Sequence, residues 1–578
     1  MTESRWSYRP TLRGRRYMAS SGHYLATMAG IRILESGGNA ADAGAAMGMA
    51  LNVLLPEMCN LGGVAPVLLY ERDRQEVWQI SGLGSYPSRV SIDWFNTEHG
   101  GRILGGPGGT VTPAALGAWV TAVLRFGVKT FAEVAAPAIE LAANGFPMHW
   151  SLAPKSQAIA DAPDAHQSKV DVFAPGGKPI RVGEPVVQSD LAGSLERLAA
   201  VESSEPGDRT RGLQAVLDEF YRGEMAREMA EFNQSVGGLM TAEDLAGHRN
   251  RVEPAISTTY RGHRVFACGP WCQGPAVLQA LNILEGYDFG PWPHNGVEHL
   301  HHVAQALNAA LSDRHSYYGD PLFVNVPMQG LLSKEYAAVW RERIDPNAFT
   351  EMPAPGNPWS HQGGQAGPAR PAAPVIEAPI PPDTSYLCVV DEQGNAMSAT
   401  PSDGAAGPGG QPFTPGLGFP ISTRGTQGWL DPDHPSAVAP GKRPRLTPNP
   451  GLMIWDDGRV MPYGTPGGDV QTQAMTQLVV NLVDYDMHPQ EAVEAPRVWS
   501  ENFPGSWDPH PYSPGVLQVE TRIDANTLDG LRDRGHVIKE WSDWEHTHTG
   551  VCVCRADLTA RIYEGAADPR RLCYAIGW

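Results

Sequence analysis

The spacing of hydrophobic and polar residues predicts a chain that contains both helices and strands. Residues 26 to 36 have helical periodicity and end at Gly37 and Gly38, and an alanine-rich helix follows, capped by Asn39 and running to about residue 54. Residues 67 to 70 form a short apolar run that is typical of a buried strand. Two helices followed by a strand of this kind can build one layer of a sandwich.

Further elements follow the same rules. A helix is predicted over 132 to 144, and Thr241 with Asp244 has the spacing of a capping box that starts another. The later pattern predicts a helix over 298 to 311, a strand over 451 to 455 and a helix over 470 to 483.

The central part of the chain predicts a β-hairpin. An apolar run at 386 to 390 reaches a turn at 391 to 395, and a second short strand leads to Thr400. Residues 353 to 382 are rich in Pro, Gly and Ala without apolar periodicity, which predicts an extended, mobile connector. This connector leads directly into Thr384, at the start of the first strand.

Thr384 is a candidate nucleophile because of this position. Its hydroxyl could attack the preceding carbonyl, and cleavage of the Asp383–Thr384 bond would leave a free α-amine beside that hydroxyl. A hydroxyl and an α-amine on one residue are the nucleophile and base of N-terminal threonine enzymes. By itself, however, a threonine here is more often only a β-former.

Composition indicates a soluble globular protein, since 42% of the residues are hydrophobic and 19% are charged. With 578 residues the chain can form two tightly joined segments. The net charge of −19 argues against nucleic acid or an anionic membrane as a partner. No secretory signal and no apolar run long enough to cross a membrane is found, so we expect a cytoplasmic protein.

Neither cysteines nor histidines predict a metal site. Seven cysteines are few and odd in number, which favours a reduced, cytoplasmic protein. Cys552 and Cys554 alternate along a predicted strand without a second pair, so we interpret them as core residues. His299 and His302 share a helix face, but no carboxylate completes a ligand set. No metal or organic cofactor is expected.

Three polar features remain. Asp313 and Arg314, at the end of a helix, predict a structural ion pair. The glycine-rich loop at 404 to 416 suits a lid or pocket rim. Gly467 and Gly468 precede a helix, where backbone amides can hold an oxyanion; the alternative is a simple helix cap made by Asp469.

In matching order over residues 19 to 568, the sequence resembles the γ-glutamyltranspeptidases, members of the N-terminal nucleophile (Ntn) hydrolases. The matching segments are short and lie in register. They are residues 37–43, 56 with 62–63, 220–224 with 237–239, 241–245, 260–262, 284–286, 313–314 with 319–321, 391–395, 442–444, 466–468 and 495–497.

The resemblance implies an α/β (α+β) fold, a four-layer αββα sandwich made as a precursor that cuts itself between Asp383 and Thr384. The products would be a large subunit, 1–383, whose segment 353–383 is flexible, and a small subunit, 384–578. Both would form one αββα unit, and pairing of such units into a dimer stays open.

The resemblance also assigns catalytic roles. Thr384 matches the nucleophile, and its new α-amine would be the base. Gly467 and Gly468 match the pair whose amides hold the oxyanion. Ser402 falls where the family has a threonine that supports the nucleophile, and a serine can make the same hydrogen bond.

The glutamate-binding positions depart from the family pattern. The arginine that binds the glutamyl α-carboxylate aligns with Leu83 or a neighbour within residues 81–84, and a Ser-Ser pair aligns with Leu446 and Thr447. The residues that bind the α-amine align with Gly425 and Gly404. A leucine in place of the arginine leaves a ligand carboxylate without a partner, which costs several kcal/mol.

These departures favour an amidohydrolase that cleaves a small amide, lactam or acylated amine other than a γ-glutamyl compound. A cephalosporin-type acylase is a specific form of this hypothesis. The alternatives are an authentic γ-glutamyltransferase or glutathione hydrolase with a rearranged clamp, using Arg443, Arg445 or Asp469, and a non-catalytic binding protein on the same scaffold.

Overall fold

The computed structural model describes residues 7–103, 105–205, 207–349, 351–364 and 384–578. Its strands, in chain order, are β1 Leu12–Gly14, β2 Met18–Ser21, β3 Val67–Glu71, β4 Glu76–Ile80, β5 Phe146–Pro147, β6 Pro185–Val186, β7 Val252–Pro254, β8 Ile256–Tyr260, β9 His263–Ala267, β10 Leu387–Val390, β11 Ala396–Ala399, β12 Gly451–Ile454, β13 Val460–Gly464, β14 Val498–Ser500, β15 Val516–Val519, β16 Val537–Glu540, β17 Cys552–Asp557, β18 Ile562–Ala567 and β19 Tyr574–Gly577.

The helices, in chain order, are α1 Tyr24–Glu35, α2 Ala40–Leu54, α3 Ile92–Glu98, α4 Ala115–Phe126, α5 Phe131–Asn144, α6 Ala153–Asp161, α7 Gln167–Phe173, α8 Ser189–Ser203, α9 Arg209–Arg222, α10 Glu224–Ser235, α11 Ala242–Gly247, α12 Gly274–Leu284, α13 Val297–Tyr317, α14 Met328–Leu331, α15 Lys334–Arg343, α16 Val470–Val483, α17 Pro489–Glu494 and α18 Ala525–Asp533.

Two seven-stranded antiparallel sheets form the centre of the molecule. Their strand orders are β1-β18-β17-β13-β12-β9-β8 and β19-β2-β10-β11-β3-β4-β7. An apolar core that includes Leu68, Cys388, Leu452 and Cys552 fills the space between them. Helices such as α1, α2 and α4 cover the outer face of the second sheet, and α12, α13 and α16 cover the outer face of the first. The predicted four-layer αββα sandwich is therefore confirmed.

The predicted hairpin is formed by β10 and β11, which pair from Leu387 with Ala399 to Val390 with Ala396. The hairpin lies in the middle of its sheet, because β2 pairs with β10 and β3 pairs with β11. Buried on both faces, it provides a rigid support for the residue that enters it, Thr384.

Capping explains why several helices begin where the sequence predicts. Asn39 and Asp42 form a reciprocal capping box at the start of α2, and Thr241 and Asp244 do the same for α11. By contrast, α13 is longer than predicted. It continues to Tyr317. Almost every residue of this helix is buried, so its sequence lacks the amphipathic periodicity from which the end of the helix could be predicted.

The predicted ion pair between Asp313 and Arg314 is wrong. Adjacent residues on a helix point in different directions. Asp313 accepts hydrogen bonds from Tyr336, Trp340 and the backbone amide of Gly356, and burial raises its pKa to about 6. Arg314 instead pairs with Asp469, as described below.

The predicted connector is ordered in its first part. The Pro353 carbonyl accepts a hydrogen bond of 2.6 Å from Ser312, the Gly356 amide donates to Asp313, and Pro358 is buried. Residues 353–364 therefore pack against the helices, contrary to the prediction of a mobile segment. The rest of the connector, with Asp383, lies outside the described residues.

The seven cysteines are buried and none of them is in a disulfide, and Cys552 and Cys554 lie in the core between the sheets, as predicted. Within the described ranges, no cluster of His, Cys, Asp or Glu has the arrangement of a metal site. Likewise, no helix in those ranges is long and apolar enough to cross a membrane.

Candidate active site

Thr384 lies at the entrance to β10, fully buried, with its amide donating to the Met58 carbonyl at 2.7 Å. Its own carbonyl accepts a hydrogen bond of 3.3 Å from Arg571. Its φ of +96° is unusual for a β-branched residue and indicates local backbone strain. Strain that the surrounding structure maintains is typical of functional sites.

The hydroxyl of Thr384 contacts the hydroxyl of Ser402, with 2.6 Å between Oγ1 and Oγ. Arg424 donates a hydrogen bond from Nη2 to the same Ser402 oxygen. A guanidinium has no acceptor, so Ser402 accepts from Arg424 and its single proton is available to Thr384. This arrangement brings together the predicted nucleophile and its predicted supporting hydroxyl.

Asp403 anchors the segment that carries Arg424. Its carboxylate accepts hydrogen bonds from the Ser422 hydroxyl at 2.5 Å and from the Thr423 amide at 2.8 Å. The Arg424 Nε lies 4.0 Å from the same carboxylate. Asp403 and Arg424 were not predicted from the sequence, in which the one available signal was the Ser-Asp-Gly sequence that follows the hairpin.

Gly467 and Gly468 form a turn between β13 and α16, with φ values of +121° and +58°. Both residues are buried, and their amides have no hydrogen-bond acceptor among the described residues. A Cβ on Gly467 would lie 2.5 Å from the His548 carbonyl oxygen, so only glycine fits. Two open amides at the start of a fourteen-residue helix can hold a negative charge.

Arg571 connects this turn with Thr384. It donates to the carbonyls of Thr384 and Thr547, and the next residue, His548, contacts Gly467. The end of β13 also lies against the ring of Tyr386, two residues after Thr384, since a Cβ on Gly464 would be 2.4 Å from that ring. The open amides thus belong to the same region as the hydroxyl pair.

Asp469 is not the helix cap that was the alternative interpretation, because its side chain makes no capping hydrogen bond. It pairs with Arg314 at 2.5 Å and accepts a 2.6 Å hydrogen bond from the Ser506 hydroxyl. Burial opposes ionisation, but Arg314 and Arg445 hold the pKa of Asp469 below its usual value. Arg445 donates to Ser506 at 3.1 Å, and burial lowers its pKa to about 9.

The remaining predicted substrate residues do not converge on one pocket. Leu83 and Leu446 pack in the core between the sheets. Thr447 is held by Gln427, whose amide donates to its hydroxyl at 2.9 Å. The Gly425 carbonyl accepts a 2.7 Å hydrogen bond from a buried tyrosine, and Gly404 lines a cavity.

This cavity, of about 390 Å³, lies beside Arg424 and Asp403. Its wall includes residues of the 404–416 loop, in agreement with the predicted pocket rim. The other lining residues include Glu57, Asn60, Arg102, Ile103, Lys155, Lys169, Pro420, Ile421, Trp507 and Asp508. The wall of a second cavity, of about 300 Å³ and lined mainly by apolar residues, includes Met58, Ser385 and Arg571.

The fold is that of the Ntn hydrolases. A solved structure, LmbA2991HD, is 32% identical and superposes with a TM-score of 0.90 over 99% of this chain and 100% of its own. A cephalosporin acylase from Bacillus halodurans is 29% identical, with a TM-score of 0.83 over 100% of this chain and 98% of its own.

The chain belongs to the γ-glutamyltranspeptidase family, whose model matches residues 26–578. A glutathione hydrolase-like proenzyme, YwrD, from Bacillus subtilis is 30% identical over 98% of this chain and 99% of its own length. The Acylase ACY 1 proenzyme from a Pseudomonas species is 32% identical over 91% of this chain and 88% of its own. The protein is thus an enzyme of the amide-hydrolase and acyltransferase class.

Proposed function

We propose that this protein is a self-processing N-terminal-threonine amidohydrolase that cleaves a small amide other than a γ-glutamyl compound. The observation that carries the proposal is the 2.6 Å contact between the hydroxyls of Thr384 and Ser402, in the same region as the open amides of Gly467 and Gly468. A binding protein has no need of a strained, buried hydroxyl beside an oxyanion site. The relatives with proenzyme names support processing.

Processing would begin with attack of the Thr384 hydroxyl on the Asp383 carbonyl carbon. The Asp383–Thr384 C–N bond breaks and an ester forms, and water then hydrolyses the ester. The α-amine of Thr384 is freed when the C–N bond breaks, and hydrolysis of the ester releases the Asp383 carboxylate and the Thr384 hydroxyl. The strain at φ +96° favours the attack because breaking the peptide bond relieves it.

In the mature enzyme the α-amine of Thr384 takes the hydroxyl proton as the oxygen attacks the substrate carbonyl. The amides of Gly467 and Gly468 stabilise the negative charge that develops on the carbonyl oxygen. The α-amine then gives its proton to the departing amine, and an acyl ester stays on Thr384. Water, or an acceptor amine, releases the acyl group and restores the enzyme.

The substrate proposal rests on the residues that replace the glutamate clamp. Leu83 and Leu446 are apolar and buried. Two of the three side chains considered for a rearranged clamp already have a charged partner, since Arg443 pairs with Asp320 at 2.7 Å and Asp469 with Arg314. The third, Arg445, donates to the Ser506 hydroxyl. The acylase relatives support a different acyl group.

The test has two parts. Mass spectrometry of the denatured protein should find chains 1–383 and 384–578, the second beginning at Thr384. The processed enzyme should then cleave chromogenic amides of several small acyl groups faster than a γ-glutamyl anilide. Preferred cleavage of the γ-glutamyl anilide would favour the authentic transferase, and a single uncleaved chain without activity would favour a binding protein.

A further inference from the structure

Arg571 binds three backbone carbonyls around the nucleophile. Its Nη1 donates to the Thr384 carbonyl at 3.3 Å, and its Nε donates to the His546 carbonyl at 3.2 Å. Its Nη2 donates to the Thr547 carbonyl. The same Nη1 lies 3.8 Å from the sulfur of Met58. Because the guanidinium is planar and its donors are used on two separate segments, it is held in one orientation.

The backbone on both sides of Arg571 is fixed. The side chain of the preceding residue, Arg570, is fully buried and pairs with Glu520 at 2.6 Å and with Asp568 at 3.1 Å. The strand β19 begins three residues after Arg571 and pairs with β2 in the sheet that contains the hairpin. The half-buried guanidinium is therefore carried by a rigid part of the fold and not by a mobile loop.

This guanidinium lies close to the position of the mature α-amine. Cleavage would turn the amide nitrogen of Thr384 into that amine. The backbone nitrogen and the carbonyl oxygen of one residue are at most about 3.6 Å apart, so the hydrogen bond of 3.3 Å places Nη1 of Arg571 within about 7 Å of the amine. A positive charge at such a distance disfavours a second one, so protonation of the amine becomes less favourable.

Other charged and titratable groups lie on the segments around this amine. They are Glu57 with His149 (Nδ1 at 4.0 Å), Asp403 with Arg424 (Nε at 4.0 Å), Glu545 with His548 (Nδ1 at 3.6 Å), and Lys155 and His546 in the wall of the 300 Å³ cavity. Each of the three carboxylates has a basic group beside it. Arg571 hydrogen-bonds to the nucleophilic residue itself, so removal of its charge should change the amine more than removal of any of these.

We propose that Arg571 is a positioning residue for the reaction, which fixes the Thr384 carbonyl and, as a cation beside the new α-amine, keeps this amine unprotonated at neutral pH. An ordinary α-amine has a pKa of about 7.7 to 8.0, so at pH 7 most of it carries a proton and cannot act as a base. The Met58 carbonyl, which accepts the Thr384 amide at 2.7 Å, stabilises an ammonium there, and the charge of Arg571 opposes that effect. The inference rests on the proposed function, in which the α-amine is the base.

Two variants separate the charge of the side chain from its size. Arg571→Met removes the charge and the donors, whereas Arg571→Lys keeps the charge. The substrate is whichever 4-nitroanilide the wild type cleaves fastest, acetyl, butanoyl, glutaryl or γ-glutamyl, and the acid limb of kcat/KM against pH reports the base of the free enzyme. Its midpoint should move to higher pH by about one unit in Arg571→Met and stay within about 0.3 units of the wild type in Arg571→Lys.

Arg561→Met is the matched control, because it removes an exposed arginine that pairs with Glu392 on the surface, and its midpoint should equal that of the wild type. If Arg571→Met is not processed, Arg571→Gln takes its place, since it keeps an amide donor without the charge and should show the same shift. A loss of kcat/KM that is equal at every pH, with an unchanged midpoint, would indicate a merely structural role and overturn the proposal.

A measurement on the amine itself separates this inference from the proposed function. Acetic anhydride reacts only with the unprotonated amine, and mass spectrometry of the peptide that begins at Thr384 follows this reaction against pH. The midpoint in the processed wild type should lie below about 7.7, the lower end of the ordinary range. In Arg571→Met it should be about one pH unit higher than in the wild type.

The outcomes distinguish the two proposals. If these midpoints are found but none of the anilides is cleaved, the proposed function fails and the effect of Arg571 on the amine stands. If an anilide is cleaved but the midpoints of the wild type and Arg571→Met are equal, or the wild-type midpoint lies at about 8 or above, the inference fails and the proposed function stands. An uncleaved chain has no such amine and contradicts both.

Discussion

The hydroxyl oxygens of Thr384 and Ser402 lie 2.6 Å apart, although β10 and β11 separate the two residues along the chain. The hairpin places them at neighbouring strand ends, one before the first strand and one after the second. Arg424, donating to Ser402, fixes the direction of the hydrogen bond, so Ser402 donates towards the oxygen that would attack the substrate.

Ser402→Ala should lower kcat by about ten- to a hundredfold, because the developing charge on Thr384 loses one hydrogen-bond donor. Ser402→Thr should keep most of the activity, since it retains the hydroxyl. Arg424→Gln should shift the pH profile of kcat and cost little more in the Ser402→Ala background than Ser402→Ala alone. Additive losses in this double-mutant cycle would contradict the relay from Arg424 through Ser402 to Thr384.

Thr384→Ala should yield one uncleaved, inactive chain, because in the proposed mechanism this residue supplies the nucleophile for both processing and turnover. Thr384→Ser should be cleaved at the same bond, since serine also has a hydroxyl on Cβ. Electrophoresis with N-terminal sequencing of the smaller fragment measures both outcomes. A cleaved and active alanine variant would remove Thr384 from the mechanism.

Gly467→Ala should strongly reduce activity. Its Cβ would lie 2.5 Å from the His548 carbonyl oxygen at a φ of +121°, so the turn with its two amides must move. Loss of an oxyanion donor costs about 100- to 1000-fold in kcat. Gly458→Ala is the control, because Gly458 also has a positive φ, +88°, but open space around it. Similar kcat losses in both variants would mean that backbone strain alone is responsible.

Local signals in the sequence predicted individual elements of the fold, and the family resemblance predicted its four layers. The capping box at Asn39 fixed the start of α2, and the apolar run before residue 391 fixed the hairpin. The predicted pair of Asp313 with Arg314 was wrong, because the partners of buried charges lie on elements that are distant along the chain. Asp313 meets Tyr336, and Arg314 meets Asp469 across 155 positions.

The candidate site was predictable where the family motif is local. Thr384 stands at a strand start, and Gly467 with Gly468 at a helix start, so their positions follow from the sequence pattern. Arg424 was missed, because its place at the site depends on a contact with Ser402, 22 positions away along the chain. The periodicity of hydrophobic residues in the sequence does not predict a contact of this kind.

The neutral pair His301 and His536 should make the fold sensitive to acid. His301 donates from Nε2 to the Asp345 carbonyl at 2.8 Å, so its Nδ1 accepts the hydrogen bond of 3.0 Å from Nε2 of His536. Burial, with the neighbouring His302 and Arg534, lowers the pKa of His301 to about 4. Burial, with His301 beside it, lowers that of His536 to about 3.

Both rings stay neutral in the folded protein. In the unfolded chain they gain protons once the pH falls below 6.5, the ordinary pKa of histidine. Stability should thus be complete above pH 6.5 and fall towards pH 4, by about 1.4 kcal/mol per pH unit for each ring. His536→Gln keeps a donor for His301 and removes one titrating group, so its melting temperature should fall less than that of the wild type between pH 6.5 and 4.5. His361→Gln changes a partly exposed histidine, so its melting temperature should fall with pH as in the wild type. If the melting temperature of His536→Gln falls as much as that of the wild type, the pair of His301 and His536 does not cause the acid sensitivity.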